Sequence, residues 1–297
     1  MQFTQRLSQP LPIILDGATG TELDRRGVDT GLPLWSANAL LSDGGQSILK
    51  EIHADYVRAG AEILTANTFR THRRALLPSG NGGRALELTR RAVDIARAAI
   101  AEAGGSAPRF IAGSISTLED CYRPDLVPSD AECRTEHSER VQHLLEAGVD
   151  ILLIETMNSI REAVIAAKLA AITGTPVIVS FVCDREGRIL SGESFTDAAR
   201  ELLPLGVTAL GTNCGPAAYL RHPLDELRSA CGPDFPLIAY ANIGYADDRK
   251  GWVNTDAEDP DAYCSHTMDW PVHIVGGCCG TRPAHITRLY AAIHSHS

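Results

Sequence analysis

Short apolar runs and longer helical stretches alternate along this chain. The runs Pro12–Asp16, Glu62–Ala66, Phe110–Ala112, Ile151–Ile154, Val177–Val182, Val207–Thr212, Pro236–Tyr240 and Val272–Val275 end in polar residues, Gly or Pro and read as strands. Between and after them, residues 44–59, 84–103, 130–147, 159–172, 196–203, 224–231, 256–266 and 283–293 read as helices. Gly60, Gly104-Gly105 and Gly148 stop three of these helices, and Thr281 stands near the N-cap of the last. Eight strands, each followed by a helix, predict an α/β fold. We expect a single (β/α)8 TIM barrel spanning residues 1–297 as one domain. The rival, a doubly wound open sheet, would carry Gly-x-Gly-x-x-Gly after its first strand. Gly17-Ala-Thr-Gly-Thr21 does not match that pattern.

A weak repeat sharpens the positions. Arg58–Thr68, Glu146–Thr156 and Leu205–Cys214 share one plan, in which a glycine ends a helix and a strand follows. A polar residue then falls seven places after the glycine or close to it: Asn67, Glu155 and Asn213. Barrels reuse this helix-stop-strand grammar, which accounts for most of the similarity. All three polar residues are nevertheless placed at C-terminal strand ends, where barrel active sites lie.

Composition narrows the classes. Of 297 residues, 44% are apolar and 22% charged, the balance of a soluble globular enzyme. No apolar stretch approaches the ~20 residues of a membrane helix. Met1–Leu11 has no apolar signal core, so a cytoplasmic location is expected. The formal charge is −10, and no basic run exceeds Arg73-Arg74 or Arg90-Arg91, which speaks against nucleic acid. Arg84, Arg90, Arg91 and Arg97 read as a solvated helix face.

Eight cysteines without a signal peptide suggest metal binding or catalysis before a disulfide framework. Cys214 ends the sixth strand; Cys278 and Cys279 end the eighth. Alternate strands of a barrel point side chains into the same layer, so these ends can converge. Adjacent residues of a regular strand face opposite ways, so both thiols can share a metal only if the backbone leaves strand geometry. Gly276-Gly277 before the pair and Gly280 after it offer that freedom. Three thiolates with one open position is the layout of a catalytic zinc site. Three buried cysteines or a redox pair are the alternatives. Cys121, Cys133, Cys183, Cys231 and Cys264 read as structural. Zinc deprotonates a bound thiol, leaving an electron-rich sulfur suited to attack a methyl group on a cationic centre.

Asp16 and Glu155, at the ends of strands one and four, could hold the ammonium group of an amino-acid substrate. Singly, Asp16 fits a turn before Gly17, and Glu155 a helix cap or buried ion pair. Asn67 and Asn213 are candidate hydrogen-bonding residues there, with Asn213 a possible support for the zinc shell. Trp35, in the first loop after a strand, could face a sulfonium or ammonium, although loop tryptophans more often just pack. The histidines form no H-x-x-x-H or H-E-x-x-H pair. His53, His72, His137 and His143 read as surface residues, and His294 and His296 as tail.

These residues resemble the homocysteine S-methyltransferase family over nearly the whole chain. The matching motifs are Asp16-Gly-Ala-Thr-Gly-Thr-Glu-Leu23, Leu34-Trp-Ser36, Thr65-Ala-Asn-Thr68, Glu155-Thr156, Gly211-Thr-Asn-Cys214 and Gly276-Gly-Cys-Cys-Gly-Thr281. The resemblance implies a (β/α)8 barrel with Zn2+ on Cys214, Cys278 and Cys279 and homocysteine sulfur as fourth ligand. It implies that Asp16 and Glu155 hold the homocysteine amino group. Thr21, Trp35, Asn67 and Asn213 join them as substrate-binding candidates. Pro33-Leu-Trp-Ser36 resembles the branch using S-methylmethionine or S-adenosylmethionine. Ala66-Asn-Thr-Phe69 resembles the methylfolate branch, but this chain is too short for that branch's folate and cobalamin domains. The expected reaction is methylation of homocysteine by a sulfonium donor, giving methionine. Betaine or another onium donor is the second expectation, and a non-catalytic zinc or thiol sensor the third. Homocysteine and the donor are the expected partners.

Overall fold

The computed structural model describes residues 1–247 and 249–295, so the expectation for His296 lies outside the described residues. Eight parallel strands form one sheet: β1 (Ile13–Ile14), β2 (Ile63–Ala66), β3 (Phe110–Ile115), β4 (Ile151–Met157), β5 (Val177–Phe181), β6 (Ala209–Pro216), β7 (Leu237–Asn242) and β10 (Ile274–Gly277). Their order is β1-β10-β7-β6-β5-β4-β3-β2, and a parallel bridge from Leu15 to Ile63 joins the two ends. The fold is therefore a (β/α)8 TIM barrel, as the strand count predicts. A short antiparallel hairpin, β8 (Gly244–Asp247) and β9 (Gly251–Asn254), follows β7.

The helices are α1 (Phe3–Leu7), α2 (Gly20–Arg25), α3 (Asp43–Ala59), α4 (Arg73–Leu76), α5 (Ala85–Ala103), α6 (Asp130–Ala147), α7 (Ile160–Ala171), α8 (Phe195–Leu202), α9 (Arg221–Cys231), α10 (Pro260–Thr267) and α11 (Pro283–His294). Their ends follow local chemistry. Gly60 and Gly148 take left-handed conformations after α3 and α6, and Ser129 with Glu132 forms a capping box on α6.

Side-chain alternation along the strands builds two cores. Ile13, Leu15, Ile63, Phe110, Leu153, Ile178, Ile238 and Ile274 fill the barrel interior, closed by Phe3 and Leu7 of α1. Ile14, Leu64, Leu152, Val179, Leu210 and Val275 face the helices instead. Cys278 packs on top of the interior core, so the sulfur-bearing end of the barrel rests on a solid floor.

Three of the histidines read as surface residues are buried. His53, His72 and His137 lie in the helical layer, and burial lowers the pKa of each, that of His53 to about 4. Burial favours the neutral imidazole in each; His137 meets Glu162 at 2.9 Å, and a polar residue type does not reveal such burial in the sequence. His143 is half-buried.

Candidate metal centre and substrate cavity

The two strands that carry Glu155 and Cys214 share a local device. Between Asn213 and Pro216, β6 takes three steps while β7 takes two, from Tyr240 to Asn242. Between Ile154 and Met157, β4 likewise takes three steps against two on β5. Each bulge puts a non-glycine residue in the left-handed region: Cys214 at φ 59° and Thr156 at φ 56°. A bulge re-aims side chains, and these two aim Glu155 and Cys214 into one cavity. The Asn213 side chain ties the bulges together. Its Oδ1 accepts from Thr156 N (3.0 Å) and Ser180 Oγ (2.8 Å), and its Nδ2 donates to Thr156 Oγ1 (2.8 Å). Asn213 thus stands behind the cavity, fully buried, and does not line it. The repeat seen in the sequence corresponds here to a repeated backbone geometry.

At the other sulfur-bearing strand end the glycines divide their roles. Only Gly280 takes a left-handed φ, 83°. Gly276 and Gly277 stay in β10 and serve close packing, since a Cβ on Gly276 would lie 2.6 Å from Leu15 Cβ and one on Gly277 would strike Thr281. The turn therefore comes after the Cys278-Cys279 pair, contrary to the freedom expected before it. Thr21 holds that turn from α2, its Oγ1 accepting from Gly280 N at 2.9 Å.

The sulfur atoms of Cys214, Cys278 and Cys279 all lie within 4.8 Å of one another, and among the described residues they form the one cluster suited to a metal ion. Cys214 and Cys279 are 3.8 Å apart. Asn242 locks the two loops, donating to the Cys214 carbonyl (2.8 Å) and accepting from Cys279 N (2.9 Å). The protons are shared unequally. Hydrogen bonds from Cys278, Cys279 and Tyr122 hold the Cys214 thiol well below its ordinary value against the opposing effect of burial. Cys278 and Cys279, which donate to it, are pushed up. The Tyr122 hydroxyl lies 3.1 Å from Cys214 Sγ, on a half-exposed ring in the loop after β3. Cys121 and Cys183 also line the cavity, but burial keeps both thiols raised.

Two carboxylates occupy the same cavity, whose volume is about 630 Å³. Asp16 Oδ2 accepts from Thr65 N (2.8 Å) and its Oδ1 from Thr65 Oγ1 (2.9 Å). Glu155 accepts from Ser114 Oγ and from Tyr240 Oη (2.9 Å), and Tyr240 is in turn bonded to Ser180. Burial pushes each carboxyl up to about 7, and the charge of Glu155 adds to the shift of Asp16. Both are poised to be ionised by a cation placed against them.

The remaining candidates also border the cavity. Asn67 Nδ2 donates to the Ser36 carbonyl (2.8 Å), fixing the loop that carries Trp35. Trp35 takes φ 48°, packs over Gly20 and meets Phe69 edge-on at 5.6 Å. Tyr245 and Trp252 of the hairpin line the cavity as well. Asn242, Tyr122 and the hairpin are not among the residues that the sequence marks. Asn242 has a sequence signal, a polar residue at a strand end; Tyr122 sits in an irregular loop and has none.

Residues 13–293 match the family model described as homocysteine S-methyltransferase. Homocysteine S-methyltransferase YbgG of Bacillus subtilis (strain 168) is 31% identical, over 94% of this chain and 93% of that protein. Selenocysteine Se-methyltransferase of Brassica oleracea var. italica is 30% identical, over 95% of this chain and 89% of that protein. The crystal structure of the metallated homocysteine methyltransferase MmuM from Escherichia coli superposes with a TM-score of 0.81 at 28% identity, over 96% of this chain and 97% of that one.

Proposed function

We propose, since the chain belongs to the homocysteine S-methyltransferase family, that it moves a methyl group from a sulfonium donor to the thiol of L-homocysteine, giving methionine. The donor would be S-methylmethionine or S-adenosylmethionine. The observation that carries this reading is the meeting, in one cavity, of a three-sulfur cluster and two buried carboxyls of raised pKa.

Cys214, Cys278 and Cys279 would hold Zn2+. The donor set fits: tetrahedral zinc–sulfur bonds of ~2.3 Å separate the sulfurs by about 3.8 Å, and Cys214 and Cys279 stand 3.8 Å apart. When bound, zinc would supply a Lewis acid that keeps the substrate thiol deprotonated at neutral pH. The chain's own residues do the rest. Asp16 and Glu155 take the substrate ammonium, which ionises them and fixes the amino-acid end. Asn242 and Thr21 keep the cysteine loops in register, and Asn213 keeps the Glu155 bulge in place. Trp35, positioned through Asn67, offers an aromatic face to the cationic donor. In the transfer the donor's S–CH3 bond breaks, its electron pair stays on the donor sulfur as a neutral thioether, and the acceptor sulfur forms the new S–CH3 bond. Holding both partners in one cavity supplies proximity and alignment.

Residues 1–297 act as one domain in this reading, in the cytoplasm, where thiols stay reduced. The partners are small molecules, with neither nucleic acid nor membrane. Among the described residues, no helix is long and apolar enough to cross a membrane. The aromatic face accepts any onium group, which makes betaine the second reading of the donor. Mass spectrometry of products from homocysteine with S-methylmethionine, S-adenosylmethionine or betaine, with zinc quantified in parallel, tests these readings. Methionine from a sulfonium donor is expected. Zinc without turnover from any donor would leave only a sensor.

A further inference from the structure

After β2, three arginines fall within the five residues 70–74, and two of them are paired. Arg73 bonds to Glu139, and Arg74 to Glu119, Glu132 and Glu136. Arg70 is different. It lines the cavity that Trp35, Phe69 and Tyr122 also line, next in the chain to Phe69 and near enough to Cys121 to act on its thiol. Among the described residues it forms no ion pair, and its buried Nε has no hydrogen-bond partner. An arginine fork with buried N–H and no acceptor is an incomplete interaction, and an unpaired buried donor is costly.

The surroundings deepen the deficit. The nearby Arg140 is buried and uses its own N–H groups on the Ser116 and Phe69 carbonyls (2.6 and 3.4 Å). The Phe69 carbonyl also accepts from Ser116 Oγ (2.8 Å), so the backbone just before Arg70 is pinned at two points. Arg70 is thus anchored, next to another cation, and open to the cavity. Such a fork matches a carboxylate bidentately.

We propose that Arg70 is the carboxylate anchor of the methyl donor. The inference rests on the methyl-transfer reading above. A sulfonium amino acid brings a cationic centre for Trp35 and Phe69 and a carboxylate that must avoid Asp16, Glu155 and the cysteine sulfurs. Arg70 supplies the cation on the aromatic side of the cavity. Homocysteine, held by its amino group at Asp16 and Glu155, keeps its own carboxylate near those residues. There the guanidinium acting on Glu155 is that of Arg140.

The test compares S-methylmethionine with its carboxamide in the zinc-loaded wild type, Arg70→Ala and Arg70→Lys, each checked for zinc content and melting temperature. Wild type is expected to prefer the acid by about a hundredfold in kcat/KM. Arg70→Ala loses that preference by slowing with the acid alone, Arg70→Lys keeps part of it, and KM for homocysteine does not move. Unchanged discrimination in folded Arg70→Ala overturns the proposal. So does a raised homocysteine KM with donor preference intact, which would assign Arg70 to the acceptor's carboxylate. Calorimetric titration of the same two compounds reads the anchor without turnover. A wild type that transfers from no donor therefore defeats the methyl-transfer reading, while acid-selective binding lost in Arg70→Ala would still support the anchor.

Discussion

The cavity has two walls, one of sulfur and one of carboxylate, and they differ in how their side chains are satisfied. The sulfur wall is set by the backbone: a bulge with Cys214 at φ 59° and a turn with Gly280 at φ 83°. Its side chains satisfy one another only partly, sharing protons among three sulfurs. The carboxylate wall shares a backbone bulge, at Glu155, but its carboxyls are held by donated hydrogen bonds. Asp16 has two bonds from Thr65, and Glu155 bonds from Ser114 and Tyr240, so each carboxyl is supported yet still held near neutrality by burial. The sulfur wall asks for a metal; the carboxylate wall asks for a cationic ligand.

The most direct way to break this contrast is to remove one sulfur. Cys214→Ala, Cys278→Ala or Cys279→Ala should each lose zinc and lower turnover by at least about a thousandfold, because metal binding and thiol activation are one function there. Zinc quantification and product formation are measured on the same preparations. Full activity in a zinc-free triple variant would end the reading.

Neutralising a carboxyl should act differently. Asp16→Asn and Glu155→Gln keep the shape of the wall and remove its charge. We expect zinc content to stay as in wild type, and kcat/KM for homocysteine to fall roughly a hundredfold, the loss of a charge-assisted hydrogen bond worth about 2–3 kcal/mol. If these variants lose zinc as readily as the cysteine variants, the two walls are one unit and the comparison fails.

The walls also differ in how far the sequence discloses them. Three cysteines at the ends of two strands, one pair set in Gly276-Gly277-Cys278-Cys279-Gly280, mark the sulfur wall because glycine and thiol placement are local properties. Asp16 and Glu155 are legible as polar residues closing apolar runs, yet nothing in the sequence tells that burial raises them. Two strands extend past their apolar runs. β3 runs on to Ile115 and so brings Ser114 to Glu155, while β7 reaches Asn242, which joins the cysteine loops. The hairpin of β8 and β9 escaped because its residues are mostly exposed or half-buried and carry little alternation. The residues that hold the ligands and carboxyls in place are therefore what the sequence conceals, since they depend on which strands become neighbours.

Asn242 is the test of such a supporting residue. It touches both cysteine loops through the backbone, at Cys214 O and Cys279 N, and leaves the ligand set intact. Asn242→Ala should weaken zinc affinity by roughly tenfold, the lower end for an outer-shell residue, with a smaller loss of activity at saturating zinc. Competition with a chromophoric chelator measures it. An unchanged affinity would mean that the bulge and the Gly280 turn alone hold the sulfurs in register.

The smallest effect separates the walls by pH. Asp16 and Glu155 are raised to about 7, chiefly by burial. An ordinary carboxyl in the unfolded chain titrates near 4, so between about pH 4 and 7 the folded protein holds protons that the unfolded chain releases. The stability this wall contributes is full below the unfolded value and is lost as pH rises through about 7. An ammonium ligand reverses the preference: it favours the ionised pair, so its binding must expel protons and tighten with rising pH. Methionine is the useful probe because it presents the ammonium without a titrating thiol and so leaves the sulfur wall out of the measurement. Its Kd should fall severalfold between about pH 6.5 and 8, with proton release in calorimetry that depends on the buffer. In Asp16→Asn the slope should shrink, since one of the two coupled groups no longer titrates. A Kd independent of pH in the wild type would show carboxylates already ionised in the free protein, and the carboxylate wall would then be as pre-charged as zinc makes the sulfur wall.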